Sequence, residues 1–196
     1  MRNIIKKRTK DILILGLTFL LFNCKQSKVE TKTSDDKTIK EINQILYDNL
    51  VGVERGPFPE KNDSGYVDIQ IEDYIDGLRK FKIFSEEFFK LERERLEPCR
   101  KTLISLKYTG DPEPGDWENQ VSCSFFHMYW LRSQEEPTNF EIKNLTVSDS
   151  IAKSNMMFFT EYEGKKSYWE GHYLEVQYHK ERDEWRITQI LRLPPD

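Results

Sequence analysis

The chain has 196 residues, 37% of them hydrophobic and 33% charged, which suits one globular domain with a short appendage and excludes a long multidomain assembly. Lys and Arg number 30 against 34 Asp and Glu, a formal net charge of −4, so the broad positive footprint of a nucleic-acid binder is missing. Three cysteines are too few for a disulfide-built scaffold.

The first residues carry Arg2, Lys6, Lys7, Arg8 and Lys10, and an apolar stretch then runs from Ile12 to Phe22. At about 1.5 Å per residue such a stretch is too short to cross a hydrocarbon core of about 30 Å as a helix. A basic segment followed by an apolar one of this size reads as a secretory signal peptide over residues 1–23. Leu20-Leu21-Phe22-Asn23-Cys24 resembles a lipobox, the site where a diacylated cysteine becomes the new N-terminus, with Asn23 standing where a small residue is usual. The resemblance implies lipidation of Cys24 by acyl chains such as palmitate, and a place in the cell envelope of a diderm bacterium, at the outer membrane or the periplasmic face. Without residues 1–23, which hold five basic residues and one acidic, the formal charge moves from −4 to −8.

Residues 24–37 comprise that cysteine and the polar run KQSKVETKTSDDK, which has too little apolar surface to offset the entropy of ordering and reads as a flexible tether. The domain is expected from residue 38 to residue 196. Two cysteines remain, Cys99 and Cys123, in a compartment where disulfides persist; they are expected to pair, the alternative being two buried thiols.

Thr38 and Glu41 fit a capping box, and Ile39, Ile42, Ile45, Leu46 and Leu50 recur at helical spacing up to Gly52. Residues 53–70 contain Gly56, Pro57, Pro59, Asn62, Asp63, Ser64 and Gly65 and read as a long surface loop. Ile71, Tyr74, Ile75 and Leu78 predict a second helix, and Ser85 caps a third that carries Phe88, Phe89, Leu91 and Leu96. Ten of the sixteen residues from Glu86 to Lys101 are charged, which predicts a solvated face with Glu86/Lys90 and Glu97/Lys101 pairs. Pro98 is expected to kink the helix, which continues through Thr102 to Leu106.

After residue 110 the period changes from 3.6 to 2. Strands are predicted at 121–131, 140–147, 155–162, 167–178 and 185–193, separated by turn signals at Glu163-Gly164-Lys165 and at 180–183. Short connections require antiparallel neighbours. The fold class is therefore α+β, helices packed on a curved antiparallel sheet of about five strands. The opening helix from Thr38 to Leu50, the second helical block and the closing run Tyr173-Leu174-Glu175-Val176-Gln177-Tyr178, then Trp185-Arg186-Ile187-Thr188-Gln189-Ile190, resemble the nuclear-transport-factor-2-like superfamily. That resemblance implies a cone-like sheet over residues 38–196. Its members include isomerases, dehydratases, binding modules and immunity proteins, so the fold class leaves function open.

Chemistry has few anchors. The chain has no G-x-S-x-G, P-loop, G-x-G-x-x-G, H-E-x-x-H or C-x-x-C, so no cofactor or metal is expected. His172 and His179 lie seven residues apart and should face opposite sides of a regular strand unless a bulge at Gly171 resets the register. Strict alternation puts Tyr168, Glu170, His172, Leu174, Val176 and Tyr178 on one face, where Glu170 and His172 would make a general acid/base pair. On the predicted strand at 121–131, His127 shares a face with Phe125, Tyr129 and Leu131. The four carboxylates between Asp111 and Glu118 miss the EF-hand pattern and read as a solvated turn, and Asn144-Leu145-Thr146 is a formal glycosylation acceptor. Tyr66, Tyr162 and Trp169 are candidates for an exposed recognition patch among largely buried aromatics.

The leading expectation is a membrane-anchored, non-catalytic binding module, attached through its lipid and taking a protein partner or a small apolar ligand, with no nucleic acid. The alternatives are an isomerase- or dehydratase-like enzyme using Glu170 and His172, and an immunity or inhibitor lipoprotein that presents the 53–70 loop to a toxin or hydrolase.

Overall fold

The computed structural model describes residues 34–51, 56–112, 130, 131, 133 and 135–193. Helix α1 spans residues 34–46 and closes in a π-helical turn, Tyr47–Val51. It is already helical at residue 34, so the last residues of the expected tether are ordered. Thr38 lies inside the helix, where its hydroxyl donates to the Ser34 carbonyl at 3.1 Å in place of the expected capping box. From Ile39 onward the chain is one compact unit.

The expected 53–70 loop contains a small hairpin instead. Strands β1 (Pro59–Lys61) and β2 (Val67–Ile69) pair antiparallel around a turn in which the Asn62 side chain accepts from the Ser64 and Tyr66 amides at 3.0 and 3.1 Å. Val67 and Ile69 are fully buried. Their apolar side chains draw the second strand into the core, and only the turn residues Asp63 and Ser64 and the adjoining Glu60 and Lys61 are exposed.

Helix α2 (Ile71–Arg79) buries Ile71, Ile75 and Leu78 on one stripe, as the spacing predicts. Helix α3 (Glu86–Leu106) begins at Ser85, whose Oγ accepts from the Phe88 amide at 3.1 Å. It runs 21 residues with Pro98 inside and no break. Pro98 has no amide hydrogen to donate to the Glu94 carbonyl, yet the helix continues past it to a left-handed Lys107 cap, with Thr102 Oγ1 donating to the Pro98 carbonyl at 3.0 Å.

Four strands form the main sheet in the order β3 (Asn139–Val147), β4 (Ile151–Tyr162), β5 (Lys165–Glu181) and β6 (Glu184–Leu193), all antiparallel neighbours. The fold class is α+β. The predicted strand at 121–131 lies almost wholly outside the described residues. Ala152, Ser154, Met156 and Phe158 of β4, Leu174, Val176 and Tyr178 of β5, and Trp185 and Ile187 of β6 are buried, so alternate residues of one face make the core. The helical layer is tied to it where Ile187 donates to the Ile83 carbonyl at 2.7 Å and accepts from the Ser85 amide at 2.9 Å.

Three rings cluster where α3 meets that junction: Phe84 stacks on Phe88 at 4.3 Å between centroids, and Phe89 meets Phe88 edge-on at 6.0 Å. The solvated face of α3 is as expected for Glu97 and Lys101, 3.8 Å apart. Glu86 departs from expectation. It pairs with Arg79 of α2, while Arg93 of α3 grips Glu72 of α2 bidentately at 2.6 and 2.7 Å. These two cross-helix pairs hold α2 along α3, and the Arg79 guanidinium also sits 4.2 Å from the Phe89 ring centroid.

Candidate functional site

Among the described residues the ladder beyond Phe159 and Tyr173 continues between β4 and β5 alone: β3 ends its pairing at Asn139 opposite Phe159, and β6 ends at Leu193 opposite Tyr173. Residues 160–172 therefore form a two-stranded arm that projects past the four-stranded sheet. Its tip is a two-residue turn, Glu163 at φ 49° and Gly164 at φ 74°, the backbone of a type I′ hairpin.

At the root of the arm the register breaks. Met157 pairs with Tyr173 and Phe159 with Tyr168, so Phe158 alone faces the four residues from Trp169 to His172. Gly171, at φ 75°, supplies the left-handed residue that this bulge requires. The bulge cancels the alternation on which a shared inward face for Glu170 and His172 depends. Leu174, Val176 and Tyr178 are buried, while Glu170 is exposed and His172 half-buried.

Glu170 and His172 are neighbours all the same, through the backbone. His172 Nδ1 lies 3.1 Å from the Glu170 carbonyl oxygen, which can only accept, so Nδ1 carries the proton in the neutral ring. The imidazole meets Trp169 edge-on at 5.7 Å, and Trp169 Nε1 donates to Thr160 Oγ1 at 2.8 Å. This is a packed aromatic corner. Neither of two cavities found among the described residues includes Glu170 or His172. His127, the other imidazole candidate, lies outside the described residues, and His179 is exposed farther along β5.

The other face of the arm carries Tyr168, whose hydroxyl donates to Glu141 Oε2 on β3 at 2.5 Å. That bond raises the Tyr168 hydroxyl above the usual phenol range and, with Lys143, lowers the Glu141 carboxyl. Lys166 Nζ sits 4.3 Å from the centroid of the buried Phe159 ring. Tyr162, near the tip, is 75% exposed. Of the three aromatics expected in a recognition patch, Tyr162 and Trp169 share this arm, and Tyr66 lies on the small β1–β2 hairpin. Sequence reading missed Tyr168–Glu141 and Lys166–Phe159, since both depend on the cross-strand register.

Two cavities flank α2. One, about 470 Å³, lies where α2 meets α3 and is lined by Glu72, Asp73, Arg93, Glu94, Glu97 and Arg100. Its arginines are committed: Arg93 to Glu72, and Arg100 to the buried Asp68 at 3.0 and 3.3 Å. The other, also about 470 Å³, runs along the opposite side of α2 and is largely apolar, with Leu50, Phe58, Tyr74, Leu78 and Phe81 in its walls.

Cys99 is buried and disulfide-bonded; Cys24 and Cys123 both lie outside the described residues. The acidic turn expected at 111–118 is described only at Asp111 and Pro112. Among the described residues no group of three metal-ligating side chains converges, and no helix is long and apolar enough to cross a membrane.

An α+β domain with a projecting, aromatic-bearing arm is the class of protein that fold and site define. Comparison with protein-family models, curated proteins and solved structures finds no match to this chain in any of the three.

Proposed function

We propose that this chain is a lipoprotein of the diderm cell envelope, acylated at Cys24, whose α+β domain is a non-catalytic binding module. The order of basic segment, apolar stretch and Cys24 supports the anchoring half of that reading. The observation that carries the binding half is the β4–β5 arm: a hairpin beyond the four-stranded sheet that exposes Tyr162 and holds Trp169 by a hydrogen bond to Thr160. Exposed, preorganised aromatic side chains are the usual anchors of a contact surface, because they lose little conformational entropy on binding.

In this reading the curved sheet gains a fifth strand from within residues 121–129, the turn at 130 and 131 following it, and takes a cone-like form, and Cys99 pairs with Cys123. A bridge closing a loop of roughly 25 residues would add about 3–4 kcal/mol on the loop-entropy model. Surface placement of Glu170 and His172 favours binding over isomerase or dehydratase chemistry. Burial of Val67 and Ile69 leaves the 53–70 segment poorly suited to plug a partner's active site, which weighs against the immunity reading.

Labelled fatty acid should enter the wild-type chain in a diderm host and be lost in Cys24→Ser; label retained in that variant refutes the anchor. Binding to envelope extract should fall in Tyr162→Ala and persist in Glu170→Gln and His172→Ala. The reverse pattern would identify a catalytic corner instead.

A further inference from the structure

The apolar groove beside α2 has an internal clue to its role. Gly77 lies in the interior of α2 and lines this groove. A glycine there weakens the helix by about 1 kcal/mol relative to alanine, yet a Cβ at this position would meet no atom within 4 Å. Packing therefore does not demand the glycine. What its missing side chain does is keep the groove floor open.

The walls are an apolar slot with a charge at each end. Phe58 and Phe81 are half-buried and Leu50 and Leu78 buried, while Asp73 and Lys80, both exposed, mark the two ends along the helix. From Asp73 to the capping residue Lys80 the helix advances about 10 Å, the span of a single alkyl chain of about nine carbons. The volume, about 470 Å³, lies within the usual range of about 300–1,000 Å³ for small-ligand sites. A cation at one end and a carboxylate at the other give such a chain a direction, with an anionic head beside Lys80 and away from Asp73.

We propose that the groove along α2 binds a single-chain alkyl carboxylate, its tail over Gly77 between Phe58 and Phe81 and its head at Lys80. This deepens the binding-module reading by naming a ligand class at a surface separate from the β4–β5 arm. The two stand or fall by different measurements.

The test uses purified full-length chain and a dodecanoic acid carrying a diazirine near its methyl end, with adducts located by peptide mass spectrometry. Adducts should fall on the segments containing Phe58 and residues 73–81, and excess dodecanoate should suppress them. Gly77→Leu, which fills the slot, should lower the yield about tenfold or more, a change of about 1.4 kcal/mol; Lys80→Glu should lower it for dodecanoate and spare the corresponding alcohol probe. Gly77→Ala should raise the melting temperature while weakening labelling, which separates a blocked groove from a damaged fold. Adducts scattered over the surface, labelling unchanged in Gly77→Leu, or displacement by phosphatidylglycerol vesicles but not by dodecanoate would each overturn the proposal. None of these outcomes touches Cys24 acylation or arm binding.

Discussion

Tyr178 Oη donates to Asn43 Oδ1 at 2.7 Å, joining the C-terminal part of β5 to α1 across the core. Ser154 of β4 completes the triangle, 2.9 Å from the Tyr178 hydroxyl and 3.2 Å from Asn43 Nδ2, which also donates to the Ile39 carbonyl at 3.0 Å. All three side chains are buried. A buried polar group is tolerable only when satisfied, so this triangle selects one rotation and one height of α1 against the sheet. Tyr178→Phe keeps the ring and leaves Asn43 Oδ1 only the longer bond from Ser154 Oγ at 3.4 Å. It should cost about 1–3 kcal/mol in urea unfolding with little change in the slope against denaturant; a neutral result would mean that the triangle contributes no net stability.

Burial also sets an alkaline limit. Desolvation raises the hydroxyls of Tyr47, Tyr74 and Tyr178 above the ordinary phenol range, with nearby carboxylates adding to the first two. Their folded-state values exceed the unfolded one. Stability from these groups is therefore complete well below pH 10 and is lost progressively as pH rises from about 10 toward the raised folded-state values, since over that window only the unfolded chain releases the protons. Melting temperature measured from pH 8 to 11 should fall steeply in the upper part of the range, and less steeply in Tyr178→Phe.

Asp68 is 3% exposed on β2, and its carboxylate accepts from Arg100 of α3 and from the Ile69 amide at 2.7 Å. Removing the arginine alone leaves a buried charge uncompensated. Arg100→Met should cost about 3–5 kcal/mol, whereas Asp68→Asn combined with Arg100→Met should recover much of that loss. Equal destabilisation by the single and double variants would show that Arg100 acts through packing rather than charge.

The arm's turn offers a local test. Gly164 has φ 74° and open space around its missing side chain, so Gly164→Ala meets no clash and suffers only left-handed backbone strain, about 1–2 kcal/mol. Glu163, at φ 49°, already bears such strain, and Glu163→Asn should relieve part of it. Amide hydrogen exchange in residues 160–168 should quicken in the first variant and slow in the second, with the remaining sheet unchanged.

Periodicity placed α2, α3 and four strands of the main sheet within a few residues, because each buries one face and a buried face imposes its spacing on the sequence. Ser85 and Glu163-Gly164 were legible for a similar reason: a cap and a type I′ turn are satisfied by local chemistry. The small hairpin was hidden because Pro57, Pro59 and Gly65 mark turns without saying that Val67 and Ile69 lie deep in the core. The helix runs on through Pro98, and proline's cost there is outweighed by the core contacts of Leu96, Cys99 and Leu103 on either side.

Sequence alone determined the charge balance, the α+β class and the choice of apolar faces, all of which are properties of neighbours along the chain. Tertiary structure decided where Glu170 and His172 point, that Glu86 pairs with Arg79 and Glu72 with Arg93, that Asn43, Ser154 and Tyr178 close a triangle, and that Gly77 opens a groove. Each of those depends on the register between segments distant in sequence. A single bulge opposite Phe158 resets which side chains face the core, and alternation read along one strand carries no record of its partner.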